Sequence, residues 1–155
     1  MGIGAPRRVR FSGAQRVYLD EHRCSIRVRL HVATNGSYVV GLAEGGSSLD
    51  DQLSTAGEAT LNALRQVVDP HDVMLELTEV TAFDAFGKSG VMVSLMVKHQ
   101  KTVYRLTGFS QVGELTGATD VQVDVVRRKT VQIGNVAQAV ALAVLSATNR
   151  VLAVG

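Results

Sequence analysis

A single cysteine, Cys24, excludes an internal disulfide, and nothing near it has metal-ligand spacing. A half-buried strand thiol in a reducing cytoplasm is the expectation. Tryptophan is absent, prolines number two and aromatics make up only 5% of the chain, so few breakers interrupt its elements and little is present for stacking nucleic-acid bases. Nor is there an excess of one charge. Sixteen basic against 14 acidic residues makes a poor counterpart to a polyphosphate, which disfavours nucleic acid as a partner. The longest apolar run, "VAQAVALAVLSA" at Val136 to Ala147, is 12 residues long and contains Gln138, short of the roughly 20 needed to cross a bilayer. No membrane partner is expected. "MGIGAPRRVRF" lacks an apolar stretch after its arginines and does not read as a secretory leader. What is abundant is apolar material, 46% of 155 residues, enough for the core of one domain.

That material has two periods. "SIRVRLHV" alternates, with Ile26, Val28, Leu30 and Val32 on one side and Arg27, Arg29 and His31 on the other, a strand with one wet face. Before it, "RRVRF" and "QRVYL" give one long strand or two short ones joined at "SGA". After it, "SYVVGLA" follows the turn residues "TNG". From Asp50 the period becomes helical through Leu53, Ala56, Thr60, Ala63 and Val67, with Ser47, Ser48 and Asp50 as candidate caps and "DPHD" at Asp69 to Asp72 as the stop. The order then repeats. "VMLELTEVTAF" predicts a strand, "KSG" at Lys88 to Gly90 a turn, "VMVSLMVKH" and "TVYRLTGFSQV" two more strands, and about Asn135 to Ala153 a helix apolar on nearly every side.

The helices echo one another: "ATLNALRQVV" at Ala59 to Val68 matches "AVLSATNRVL" at Ala143 to Leu152. Their alanines allow close approach to a sheet, and Leu61 and Leu145 fill the gaps. Gly41 to Ala59 spans 18 positions and Gly108 to Ala143 spans 35, an insertion of 17 in the second unit. The expected fold is α+β, two βββα units packed as a pseudo-twofold sheet-and-helix domain. Unit one covers about 7–70 and unit two about 71–155, with the insertion at about 113–133.

No reaction is written in the chain, so no catalytic residue, metal ligand or cofactor is expected. His22 and His71 fall in turns, His31 and His99 on polar strand faces, and no pair has zinc-ligand spacing. Asp50 with Asp51 and Glu76 with Glu79 are explained by caps and exposed strand positions. Ser110 and Ser146 have no histidine placed to activate them. "GLAEGG" precedes a helix, an arrangement able to hold an anion on free amides, but it lacks the lysine and spacing of a phosphate loop, and a simple flexible turn explains it better. "VRRKT" at Val126 to Thr130, with Arg7, Arg8 and Arg10, forms a basic cluster that Arg27 and Arg29 extend across a sheet face, a solvated surface or a contact for an acidic protein.

The βββα repeat, "GLAEGGSSLDDQ" before the first helix, "LELTEVTAFDAFG", the glycine of "RLTGFS" and the final "AVLSATNRVL" resemble the C-terminal regulatory domain of 2-isopropylmalate and citramalate synthases. The resemblance runs from about Val9 to Leu152 apart from the insertion. It implies a homodimer, or a larger homo-oligomer, that receives a small amino-acid-like ligand in its loops: Gly45, Gly46 and Ser47 at the first, Asp84 and Ala85 at the second and Gly108 at the third. Where that family usually carries Gly-Asn-Gly-Pro this chain has "GGSS", and the catalytic barrel with its histidines is missing, so condensation chemistry is not implied. Two readings follow: a regulatory module that binds a metabolite and modulates a protein partner, or an assembly module that keeps the fold without the pocket.

Overall fold

The computed structural model of the chain describes residues 9–69, 71–85, 88–111 and 128–152. In order they form β1 (Val9–Tyr18), β2 (Arg23–Val32), β3 (Ser37–Gly46), α1 (Leu49–Leu64), β4 (Val73–Ala85), β5 (Lys88–His99), β6 (Thr102–Gln111) and α2 (Arg128–Leu152). Each group of three strands is an antiparallel meander, β1-β2-β3 in the first sheet and β4-β5-β6 in the second. This is the α+β, twice-βββα architecture that the two hydrophobic periods imply.

The halves match in detail. Val9 pairs with Val32, and its counterpart Leu75 pairs with Val97. β1 is bulged between Phe11 and Gly13, and β4 is bulged at the corresponding place, between Leu77 and Glu79. A bulge adds one residue to its strand and sharpens the local twist. "SGA" therefore marks a bulge inside one strand rather than a break between two. Ile26, Val28, Leu30 and Val32 line the inside of the first sheet as Val91, Val93, Leu95 and Val97 line the second, all of them buried.

Both sheets close on their helices through one device. A side chain at Gly41 of β3 would place its Cβ 1.9 Å from the Ala59 carbonyl oxygen, and one at Gly108 of β6 would place it 1.8 Å from the Ala143 carbonyl oxygen. Bare backbone on the strand and alanine on the helix let the two main chains touch, which is why the alanines recur. On the other side of α1, a Cβ at Gly57 would meet Leu77 and Val80 of β4, so α1 is clasped between β3 and β4. α2 likewise packs on β6 and β5, on β1 of the first sheet, and on α1. The helix ends fasten the exchange: Arg65 Nη2 donates to the Leu75 carbonyl at 2.6 Å, and its counterpart Asn149 donates from Nδ2 to the Val9 carbonyl at 3.2 Å. Buried residues of both units form one continuous cluster.

Several boundaries differ from those the sequence predicts. Lys88 to Gly90 are strand, not turn, and pair with Ala85, Asp84 and Phe83. Ser89 Oγ donates to the Asp84 carboxylate, and the missing side chain of Gly90 makes room for the Phe83 ring. β3 extends through Gly46 because Gly45 and Gly46 complete the ladder to Cys24 and Arg23. α2 starts at Arg128, well before Asn135, so the end of the expected insertion is helix. The rest of the insertion lies outside the described residues. His99 has the inward parity of Val97, not that of a polar face. It sits where the core has ended and its Nε2 lies 3.2 Å from the Asp72 carboxylate.

Candidate functional site

The first helix begins against a crowded polar junction. Ser48 is its N-cap and accepts from the Asp51 amide at 3.1 Å. Ser47 is tied to the β1–β2 hairpin, its amide donating to His22 O at 2.9 Å and its hydroxyl to Glu21 O at 2.8 Å. Gln52, buried in the first turn, donates from Nε2 to Ser47 O at 2.6 Å and accepts from Arg16 Nη1 at 3.4 Å. Beside them a Cβ on Gly45 would collide with Thr55 Oγ1, and one on Gly46 with Asp51 Oδ2, both at 2.1 Å. The two glycines are thus spent on side chains of the same helix, which fill the space a ligand would need.

The six expected ligand residues are therefore distributed unevenly. Gly45, Gly46 and Ser47 are consecutive at the end of β3. Asp84 and Ala85 end β4, where Asp84 holds Ser89. Because Leu75 is tied to Arg65 while Leu77 and Val80 meet Gly57, β4 runs antiparallel to α1. At roughly 3.3 Å per strand residue and 1.5 Å per helix residue, β4 from Leu75 to Asp84 runs about 30 Å and α1 from Arg65 back to Asp50 about 22 Å, so Asp84 lies beyond the first turn of α1. Five of the six thus lie toward the N-terminal end of α1, but on strands that flank the helix from opposite sides. Gly108 does not join them, since it lies within β6 against Ala143.

Cys24 is fully buried rather than half-buried, and its Sγ lies 3.5 Å from Gly46 O. Burial pushes its thiol pKa up, Arg16 opposes that rise and Asp51 adds to it. A raised pKa keeps the thiol protonated and inert. The stability gained by holding it neutral is complete below the pKa of the unfolded thiol and declines as pH rises through and above it. Ellman's reagent should label Cys24 about a hundredfold more slowly in the native protein than in the unfolded chain. Equal rates would show that the β3–α1 junction opens freely.

Two surface depressions lie elsewhere. One, of about 250 Å³, is lined by Val32, Thr34, Asn35, Ser37, Val39, Gln66 and Val67 at the β2–β3 turn. The other, of about 260 Å³, opens at the β1 bulge and is lined by Ser12, Gly13, Ala14, Gln15, Arg27 and Arg29. Neither includes any of the six residues. Among the described residues no group of three His, Cys, Asp or Glu side chains is placed to hold a metal ion, and no helix is long and apolar enough to cross a membrane.

The feature that sequence reasoning missed is the outer face of the second sheet. Met74 is 60% exposed, Phe109 57%, Val103 51% and Met92 43%, and Phe83 stacks on Phe109 with ring centroids 5.4 Å apart. Its signal was present in "VMVSLMVKH", where Met92 and Met96 occupy the phase that a wet strand gives to polar residues.

No known protein-family model matches the chain, and no curated protein matches it.

Proposed function

We propose that this chain is a non-catalytic regulatory module that works as a homodimer and modulates a protein partner. The apolar side chains on the outer face of β4-β5-β6 carry the reading: exposed Met74, Met92, Val103 and Phe109 gathered on one sheet are the composition of an interface. Charge favours a second copy as its occupant. Glu76, Met96 and Arg105 form one row across the sheet, acid on β4 and base on β6. A twofold axis along β5 lays β4 of one copy over β6 of the other, which sets each Glu76 opposite the other copy's Arg105. A buried free thiol suits the cytoplasm.

Size-exclusion chromatography with light scattering tests this. The protein should run as a dimer, and Phe109→Glu should weaken association about thirtyfold, the effect of losing an interface anchor. Glu76→Arg alone should also dissociate it, while adding Arg105→Glu should restore the dimer. A wild-type monomer at high concentration, or a dimer indifferent to both changes, refutes the proposal.

A second reading, in which the module binds a small amino-acid-like molecule as the resemblance to synthase regulatory domains implies, is supported by the direction of the strands: β3 with Gly45, Gly46 and Ser47, and β4 with Asp84 and Ala85, both run toward the N-terminal end of α1. A ligand there has to displace Asp51 and Thr55 from the glycines. Leucine and isoleucine should then raise the melting temperature of the wild type but not of a Gly46→Ala variant.

A further inference from the structure

The outer face of the first sheet is chemically unlike that of the second, although the backbones correspond strand for strand. Arg29 sits between Gly13 and Val40, and Arg27 between Gln15 and Leu42. The corresponding rows of the second sheet read Glu79–Ser94–Thr107 and Thr81–Met92–Phe109. The fold therefore does not require cations at these places. In the first sheet two guanidinium groups stand one above the other on the central strand, and the neighbour facing Arg29 is a glycine where the other sheet has a glutamate.

Among the described residues no carboxylate lies within ion-pair distance of Arg27 or Arg29. Glu44, the acid on this face, is engaged by Arg23 at 2.6 Å. Arg10 lies one row further along, so the charge of the described residues on this face is positive even though the chain as a whole is nearly balanced. Arg29 is held in place, its Cζ 3.9 Å from the centroid of Tyr38. Two like charges about 7 Å apart on one strand repel, a cost that an anion between them removes. Room for it exists. The cleft at the bulge measures about 260 Å³, Ser12 and Gln15 add polar groups to its wall, and the position where Gly13 would carry a Cβ has no atom within 4 Å.

We propose that this cleft binds a phosphate-bearing small molecule, whose dianionic group is gripped by the forks of Arg27 and Arg29 across the gap left by Gly13. Two guanidinium forks match the charge and the spread oxygens of a phosphate or diphosphate. The volume exceeds that of a bare phosphate and leaves space for part of an organic body.

Isothermal titration calorimetry at fixed ionic strength, with inorganic phosphate, pyrophosphate and glucose 6-phosphate as probes and chloride as the control, tests the assignment. Saturable binding of a phosphate probe is expected, weakened about tenfold or more by Arg27→Gln or Arg29→Gln. Arg29→Lys should also weaken it, because the charge remains but the fork is lost. Gly13→Glu supplies the carboxylate that the second sheet already has, in a space that is open, and should abolish binding without lowering the melting temperature. Tighter binding of the sugar phosphate identifies an organic phosphate as the source, and tighter binding of pyrophosphate a diphosphate; either supports the site. Identical heats with chloride and phosphate, unchanged affinity in Gly13→Glu, or binding of a single-stranded oligonucleotide with none of the small phosphates would overturn it.

Discussion

Gly108→Ala should cost the protein about 3 kcal/mol, and Gly41→Ala about as much, effects at the upper end for overpacking a core. At 108 the new methyl would sit 1.8 Å from the Ala143 carbonyl oxygen and 3.0 Å from the Ala147 Cβ. At 41 it would sit 1.9 Å from the Ala59 oxygen and 2.4 Å from the Ala63 nitrogen. The obstacle is mainly helix backbone, which has no rotamer in which to escape, so the helix has to lift from its sheet and lose contacts along its length. Gly13→Ala is the control. Nothing lies within 4 Å of its Cβ, and its stability should stay within about 0.5 kcal/mol of wild type. Urea unfolding of the three variants decides the matter. If Gly108→Ala unfolds at the same midpoint as Gly13→Ala, the close strand-helix contact is not part of the fold.

Gly108 also shows where reading the sequence succeeds and where it stops. The spacing of Gly41 with Ala59 and of Gly108 with Ala143 identified the repeat and its insertion, because both halves carry the same contact glycine before the same alanine helix. The role of that glycine was not legible. A glycine in "RLTGFS" looks the same whether a ligand or a helix backbone approaches it, and the atom that decides, the Ala143 oxygen, lies beyond an insertion of unreadable conformation. Strand ends were hidden for a similar reason. Gly45, Gly46 and Lys88 to Gly90 carry turn-type composition, yet ladder partners on neighbouring strands hold them extended. Alternation marked Ile26, Val28, Leu30 and Val32 of β2 and Val91, Val93, Leu95 and Val97 of β5 as buried, since one face of each strand is covered there.

The outer faces differ because the core shared by the two βββα units leaves them free. The inward positions of both central strands are small or branched apolar residues. The opposite parity carries Arg27 and Arg29 in one sheet and Met92 and Ser94 in the other. One scaffold thus presents a cationic cleft and an apolar face whose chemistries do not compete, and the proposed phosphate site and dimer contact are separable by mutation.

Separating the two halves should abolish folding altogether, the largest effect expected here. A fragment 1–70 retains β1-β2-β3 and α1 but loses β4, against which Gly57 packs, and α2, which covers β1. It uncovers the side of α1 that Gly57 turns to β4, and about 70 residues with one helix face uncovered cannot offset the entropy of ordering the chain. The fragment 71–155 has the converse defect. Each alone should lack a cooperative melting transition by circular dichroism, and equimolar mixing should restore one, since Arg65 with Leu75 and Asn149 with Val9 tie each helix to the other half. A self-associated fragment 1–70 would still fit, because a second copy can stand in for the missing half. A monomeric fragment 1–70 with a sharp melt would show that one unit covers its own helix, and the shared core would no longer explain why the chain carries the repeat.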